Sequence, residues 1–240
     1  MPEAPKAPKA DDAPPPLFDV KARRRALARS RGAFGDCSFL HARILEDVHD
    51  RLRSVNRSFA TAAFFGRWPE GGPAELSAAL KLQTTMDFSD GAATAPAFEG
   101  QLAAIAEEEW CPLAPASVDL IVSLMSLHAA NDPPGALAQL RRALKPDGLL
   151  IVAALGGESL APLRSAFLVA ETDMRGAAAP RVAPMADARA YGGLLQRAGF
   201  SLPVTDVDRV VVRYADGLSL LRDLKAMGET NVLSERSRTM

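Results

Sequence analysis

The pattern of apolar and polar positions is most informative in residues 118–155. Residues 118–124 form a short apolar run containing one acid, which is typical of a strand buried on both faces. Apolar residues then recur at helical spacing until the Pro-Asp-Gly turn at 146–148, and residues 149–155 form a second apolar strand. Two parallel strands joined by one helix form the repeating unit of a doubly wound sheet, so this pattern predicts an α/β fold.

The same reading predicts the other elements along the chain. We expect helices at 18–30, 39–55, 76–80, 159–175, 187–198 and 216–227, and strands at 59–65, 81–86, 101–106 and 202–214. The first residues, 1–16, are mostly Ala, Pro, Lys and Asp with no apolar centre, so we predict a disordered tail there.

Composition narrows the classes of function. The net charge of −1 gives no overall field that would attract nucleic acid, so no nucleic-acid partner is expected. Two cysteines and three histidines favour neither a disulfide framework nor a metal cluster, and they suggest a reduced, cytoplasmic location. No apolar run approaches the roughly 18 residues of a membrane span.

Several segments together resemble a known family. The string from Asp119 through the Leu-Lys-Pro-Asp-Gly turn at 144–148 resembles the fourth and fifth strands of class I S-adenosylmethionine (SAM)-dependent methyltransferases. Residues 155–160, 180–184, 194–200 and 227–231 extend the resemblance. The branch indicated contains the malonyl-carrier-protein methyltransferase of biotin synthesis and, more closely, the assembly factor of respiratory complex I, which is arginine hydroxylase-like.

The resemblance implies a domain organisation. We expect a doubly wound, mostly parallel Rossmann-like sheet with helices on both faces. Residues 17–57 would form amino-terminal cap helices, and residues 58–240 a methyltransferase-like domain. In the resembled family a further helix and a final antiparallel strand follow the position of Met240. We therefore expect a shortened domain with one sheet position unfilled, unless another segment occupies it.

The resemblance also implies SAM as cofactor and a set of site residues. Gly66 matches the first glycine of the loop after the first strand, and Asp87 matches the acid that holds the ribose hydroxyls. Glu107 matches the acid that accepts from the adenine amino group, Ser123 lines the pocket mouth, and His128 is a candidate general base. Asp87 could equally cap a turn, and His128 could be purely structural. No metal site is predicted.

The loop after the first strand departs from the family pattern at two positions. Phe64 stands where an acid is expected, and Trp68 stands at the second glycine. Phenylalanine cannot anchor a polar part of the ligand as a carboxylate does, and tryptophan adds bulk where the pattern has none. A surface turn without a ligand is therefore an alternative interpretation of this loop.

Two functions follow. The first is SAM-dependent methylation of a protein or small-molecule acceptor, with hydroxylation possible from the resemblance. The second is a cofactor-poor, catalytically inactive binding protein, such as an assembly factor for a respiratory complex. The basic residues of the first helix predict either a solvated face, a contact surface for an acidic protein partner or a lid edge over the pocket; they are Lys21, Arg23, Arg24, Arg25 and Arg29.

Overall fold

A computed structural model describes residues 15–89, 101–104, 106 and 109–236. Its centre is a five-stranded parallel sheet with the order β3-β2-β1-β4-β5. The strands are β1 (Thr61–Gly66), β2 (Thr84–Ser89), β3 (Gln101–Ala103), β4 (Val118–Leu124) and β5 (Leu144–Ala153). The chain runs outward from β1 to β3 and returns on the other side of β1, which confirms the doubly wound fold.

Seven α-helices accompany the sheet in the described part of the chain. They are α1 (Val20–Ser30), α2 (Phe39–Ser54), α3 (Gly72–Leu80), α4 (Pro133–Ala143), α5 (Ala161–Arg175), α6 (Ala188–Arg197) and α7 (Gly217–Ala226). Four of them begin after an aspartate whose carboxylate accepts a first-turn backbone N–H; these caps are Asp19, Asp132, Asp187 and Asp216.

Successive residues of β1 supply the two faces of the core. Ala62 and Phe64 pack on one side against residues of α2 and α3, whereas Ala63 and Phe65 pack on the other side against residues of α4. All four side chains are buried, as expected for a central strand of a parallel sheet covered by helices on both faces.

Some predicted boundaries were wrong. β2 spans Thr84–Ser89 instead of 81–86, and α3 begins at Gly72, four residues earlier than predicted. The predicted strand at 202–214 is absent: the described backbone there forms no ladder, and Val204 is 85% exposed. A run of valines becomes a strand only when a neighbouring strand pairs with it, and this segment instead makes ion pairs to α2.

The predicted tail lies mainly outside the described residues, which begin at residue 15. Within the described part of the chain, no helix combines the length and apolar character needed to cross a bilayer.

Candidate functional site

A cavity of about 780 Å³ lies at the carboxyl ends of β1, β2 and β4. The direction of winding reverses between β1 and β4, which is where doubly wound sheets bind ligands. Phe65 and Gly66 reach the cavity from β1, Phe88 from β2 and Ser123 from β4. The aromatic rings of Phe65 and Phe88 stack with centroids 4.9 Å apart and form a flat apolar wall.

Helix α1 forms the opposite wall of this cavity. The face of α1 that lines it consists of Val20, Arg23, Arg24, Leu27 and Ala28, followed by Arg31 just after the helix. These positions recur at helical spacing of three, four and seven residues. Lys21, Arg25 and Arg29 lie outside this lining and are exposed. Helix α1, called the roof below, therefore covers the cavity.

Both ends of the roof are held by hydrogen bonds. Before α1, the side chain of Asn131 accepts from the backbone N–H of Phe18 at 2.7 Å and donates to its carbonyl at 3.2 Å. Phe18 also forms an antiparallel bridge with Leu233. At the end of α1, Nη1 of Arg67 donates to Oγ of Ser30 at 2.6 Å. The roof is thus tied to the loops after β4 and β1.

A buried ionic cluster fixes the middle of the roof. Nη2 of Arg23 lies 3.6 Å from Oε1 of Glu229, and Nε2 of His128 lies 3.1 Å from Oε2 of the same carboxylate. Burial raises the pKa of Glu229, but attraction to Arg23 and His128 outweighs burial and holds this pKa below its ordinary value. Because the ionised carboxylate has no proton to give, Nε2 of His128 carries the hydrogen of this bond.

His41 lies near the cluster and stays neutral. Its ring is 1% exposed and meets the Phe34 ring edge-on at 4.8 Å. Burial lowers the pKa of His41 to about 4, although attraction to Glu229 opposes this shift. The guanidinium carbon of Arg67 lies over the same Phe34 ring, 3.9 Å from its centroid.

In the loop after β1, two N–H donors bond to backbone carbonyls of the protein itself. The backbone N–H of Arg67 donates to the carbonyl of Leu124 at 2.9 Å, and Nε1 of Trp68 donates to the carbonyl of Phe65 at 2.9 Å. The indole packs edge-on against Phe64, with centroids 5.2 Å apart, inside the core on the α2 side. Trp68 therefore does not fill the cavity.

Gly66 is required by the sheet itself. Its φ is +89°, and a Cβ at this position would lie 1.9 Å from the carbonyl oxygen of Leu124. Glycine adopts this conformation without strain, so it allows the end of β1 to approach β4 closely.

The predicted site residues divide into two groups. Gly66 and Ser123 line the cavity, and Oγ of Ser123 lies 3.0 Å from Oγ of Ser126, another lining residue. Asp87 is buried and shares its position in the ladder with Phe64, so it faces the α2 side and does not line the cavity. Its role in cofactor binding stays a prediction.

Two further predicted residues have other positions. His128 is absent from the cavity lining, and its Nδ1 is buried without a hydrogen-bond partner among the described residues. This geometry fits a residue that positions Glu229, and the role of His128 as general base stays a prediction. Glu107 lies outside the described residues.

Sequence reasoning missed Phe88 and Arg31 as lining residues. The seven-residue spacing of Arg24 and Arg31 was a usable signal, since it places both on one helical face. The pairing of Arg23 with Glu229 gave no local signal, because more than two hundred residues separate the partners.

The lining fits the adenosyl part of SAM. Stacked aromatic rings suit a nucleobase, and the Ser123 and Ser126 hydroxyls can exchange hydrogen bonds with a ribose. The volume lies within the usual range of small-molecule sites. No acid is present at Phe64, whose side chain belongs to the core. Among the described residues, no group of three or more His, Cys, Asp or Glu side chains could hold a metal ion.

Comparison with known proteins agrees with this architecture. The family described as "Methyltransferase domain" matches residues 72–152. A malonyl-[acyl-carrier protein] O-methyltransferase from Methylovorus sp. (strain MP688) is 31% identical over 92% of this chain and 77% of its own length. The chain belongs to the class I SAM-dependent methyltransferase family. The cofactor of this family is S-adenosylmethionine.

Members of this family that are similar to the chain include human "Arginine-hydroxylase NDUFAF5, mitochondrial". It is 31% identical over 89% of this chain and 63% of its own length. The zebrafish (Danio rerio) counterpart is 42% identical over 53% of this chain and 40% of its own length. The chain thus matches less than two thirds of either relative.

A solved methyltransferase-family structure has the same fold. The complex between the Haloferax volcanii Trm112 methyltransferase activator and the putative methyltransferase aligns with a TM-score of 0.50 and 18% identity. The alignment covers 75% of this chain and 76% of that chain.

Proposed function

We propose that the protein binds SAM in the cavity between α1 and the strand ends, and that it methylates a protein or small-molecule acceptor. The observation that carries this proposal is the position of the cavity, which lies at the carboxyl ends of β1, β2 and β4 and has Gly66 and Ser123 in its wall. Family membership supports the same ligand.

The chain's own residues would contribute positioning and the exclusion of water. When bound, SAM supplies a methyl group already activated by the sulfonium. Phe65 and Phe88 would hold the adenine, the serine pair would hold the ribose, and α1 would shield the site.

The described lining offers no free general base. The Glu109 carboxylate accepts from the backbone N–H groups of Asn131 and Asp132. Burial raises the pKa of the Cys111 thiol, so it stays protonated near neutral pH. An acceptor that needs no deprotonation, such as a carboxylate oxygen, therefore suits the site best. The name of the Methylovorus relative specifies O-methylation.

Calorimetric titration with SAM tests this function. We expect saturable binding that Ser123→Ala weakens several-fold through loss of a hydrogen bond. Ser117→Ala is the matched control, because Ser117 lies just before the opposite end of β4 and its hydroxyl bonds only a local carbonyl. Absence of binding to the folded protein at millimolar SAM would contradict the proposal.

A second function, partner binding without catalysis, is favoured by the loop after β1. Its polar groups bond within the protein, and Phe64 replaces the acid. The NDUFAF5 relatives are named as arginine hydroxylases. The SAM titration separates SAM-dependent methylation from partner binding without cofactor.

A further inference from the structure

We propose that Met125 is a positioning residue, which brings the hydroxyl of Ser126 beside that of Ser123 in the wall of the cavity. The inference rests on the proposed function, because that function assigns the serine pair to the ligand. Met125 is 2% exposed and does not line the cavity. Its influence on a ligand is therefore transmitted through the backbone.

The backbone of Met125 has a conformation that is uncommon for any residue except glycine. Its φ is +53°, in the left-handed region. A residue with a side chain keeps this conformation only where the surrounding structure determines it, and such residues cluster at functional sites. Met125 stands directly after β4, at the end of the sheet where the cavity lies.

The peptide unit between Leu124 and Met125 is held from both sides. Its carbonyl oxygen, on Leu124, accepts from the backbone N–H of Arg67 at 2.9 Å, in the loop after β1. Its N–H, on Met125, donates to the carbonyl of Ala153 at 2.7 Å, at the end of β5. Because this peptide cannot rotate without losing one of the two bonds, the chain turns at the next rotatable bond, which is φ of Met125.

The turn at Met125 decides where the Ser126 hydroxyl lies. Residues three apart on a regular strand point to opposite faces, so an extended chain would separate Ser126 from Ser123. Instead, their Oγ atoms are 3.0 Å apart, and both residues line the cavity. Ser126 is also confined on the β1 side, since a Cβ at Gly66 would lie 3.1 Å from its Cβ. One strained residue thus assembles the serine pair.

A second residue with a positive φ provides a control at the opposite end of β4. Ala116 has a φ of +50°, and its backbone N–H donates to the carbonyl of Arg142 at 2.9 Å. Ala116 is exposed and does not line the cavity. A change there strains the backbone in the same way without moving the serine pair.

A double-mutant cycle on SAM affinity, measured by calorimetry, tests the inference. Ser126→Ala should weaken SAM binding several-fold in the wild-type protein, through loss of a hydrogen bond. Met125→Ile should also weaken binding, because a β-branched residue does not tolerate a positive φ and the chain should leave this conformation. In the Met125→Ile background, Ser126→Ala should then change the affinity by less than about twofold, since the hydroxyl has already been displaced.

Three control variants isolate the backbone conformation. Met125→Leu has a side chain isomeric with isoleucine but unbranched at Cβ, so the effect of Ser126→Ala should persist in it. Ala116→Val should lower the melting temperature and leave the effect of Ser126→Ala unchanged. Met125→Val repeats the test with a smaller branched side chain that does not overpack the core, in case the isoleucine variant does not fold.

The results have distinct meanings. An equal effect of Ser126→Ala in the wild type and in a folded branched variant, or no effect in the wild type, would overturn the inference while saturable SAM binding still supported the proposed function. Unfolding of both branched variants beside a folded Met125→Leu would also overturn it, because Met125 would then hold the fold and not the site. If the folded wild-type protein did not bind millimolar SAM, the proposed function would fail, and this inference with it.

Discussion

Arg23 and Glu229 form a buried ion pair that joins α1 to the turn after α7. Nη2 of Arg23 lies 3.6 Å from Oε1 of Glu229, and the two side chains are 6% and 14% exposed. The second carboxylate oxygen bonds to His128, in the segment after β4. One carboxylate therefore connects the roof, the segment after β4 and the carboxy-terminal segment, so it helps to hold α1 over the cavity.

Replacing Glu229 by glutamine should destabilise the protein strongly. The carboxylate that pairs with the buried Arg23 and with His128 would be lost, and breaking a buried pair in this way costs about 3–5 kcal/mol. Urea denaturation should show this loss in the free energy of unfolding. Arg53→Gln breaks an exposed pair with Asp50, and should cost less than about 1 kcal/mol. Equal losses in the free energy of unfolding would show that the buried pair stabilises the fold no more than the exposed pair does.

Acid should destabilise the fold through His41. The pKa of this residue is about 4 in the folded protein and 6.5 ordinarily, so between these values only the unfolded chain takes up the proton. The neutral form of His41 contributes ~3 kcal/mol to the free energy of unfolding. This stabilisation is complete above pH 6.5 and is lost as the pH falls to about 4.

His41→Leu should remove this part of the pH dependence. Denaturation at several pH values should give a flatter curve between pH 6.5 and 4 for the variant than for the wild type. The lowered pKa of Glu229 acts separately, since its contribution is lost only as the pH falls below its ordinary value of 4.5. A variant curve as steep as the wild-type curve would mean that His41 is protonated normally in the fold.

Replacing Trp68 by the glycine of the family pattern should lower the free energy of unfolding without raising the affinity for SAM. The indole fills core space beside Phe64, and removing a large aromatic side chain from a core costs about 3–5 kcal/mol. Denaturation should show this loss for Trp68→Gly and a smaller one for Trp68→Phe. A marked gain in SAM affinity for Trp68→Gly would instead identify the indole as an obstruction.

Gly66→Ala should destabilise the sheet even without ligand. The added methyl group would collide with the Leu124 carbonyl, and the positive φ adds backbone strain, so we expect a loss of more than ~2 kcal/mol. Gly32→Ala is the control, because a Cβ there meets no atom within 4 Å. Thermal melting compares the two; similar melting temperatures would show that β1 can shift to accept the methyl group.

The local pattern of apolar residues was sufficient to predict a central strand of the sheet. β4 matches its prediction at Val118–Leu124, because a strand covered on both faces is apolar along its whole length. The segment at 202–214 failed, because its valines indicate only a preference that a neighbouring strand must satisfy.

The candidate site was only partly predictable for a similar reason. Gly66 and Ser123 reach the cavity because strand ends are fixed by sheet topology. Trp68 resembled an obstruction in the sequence, but a side chain's direction is set by packing, and here the core accepts the indole. The Arg23–Glu229 contact depends on how distant segments dock, which spacing along the chain does not encode.

The most direct test of the account is ligand binding reported by Trp110. This indole lines the cavity and is 58% exposed, whereas the second tryptophan, Trp68, is buried in the core. In the Trp68→Phe variant, fluorescence therefore reports on the cavity alone. We predict a saturable change in emission on titration with SAM, and competition by 5′-methylthioadenosine. An emission spectrum that stays constant to millimolar concentrations of both ligands, in protein shown to be folded, would contradict the assignment of this cavity as an adenosyl site.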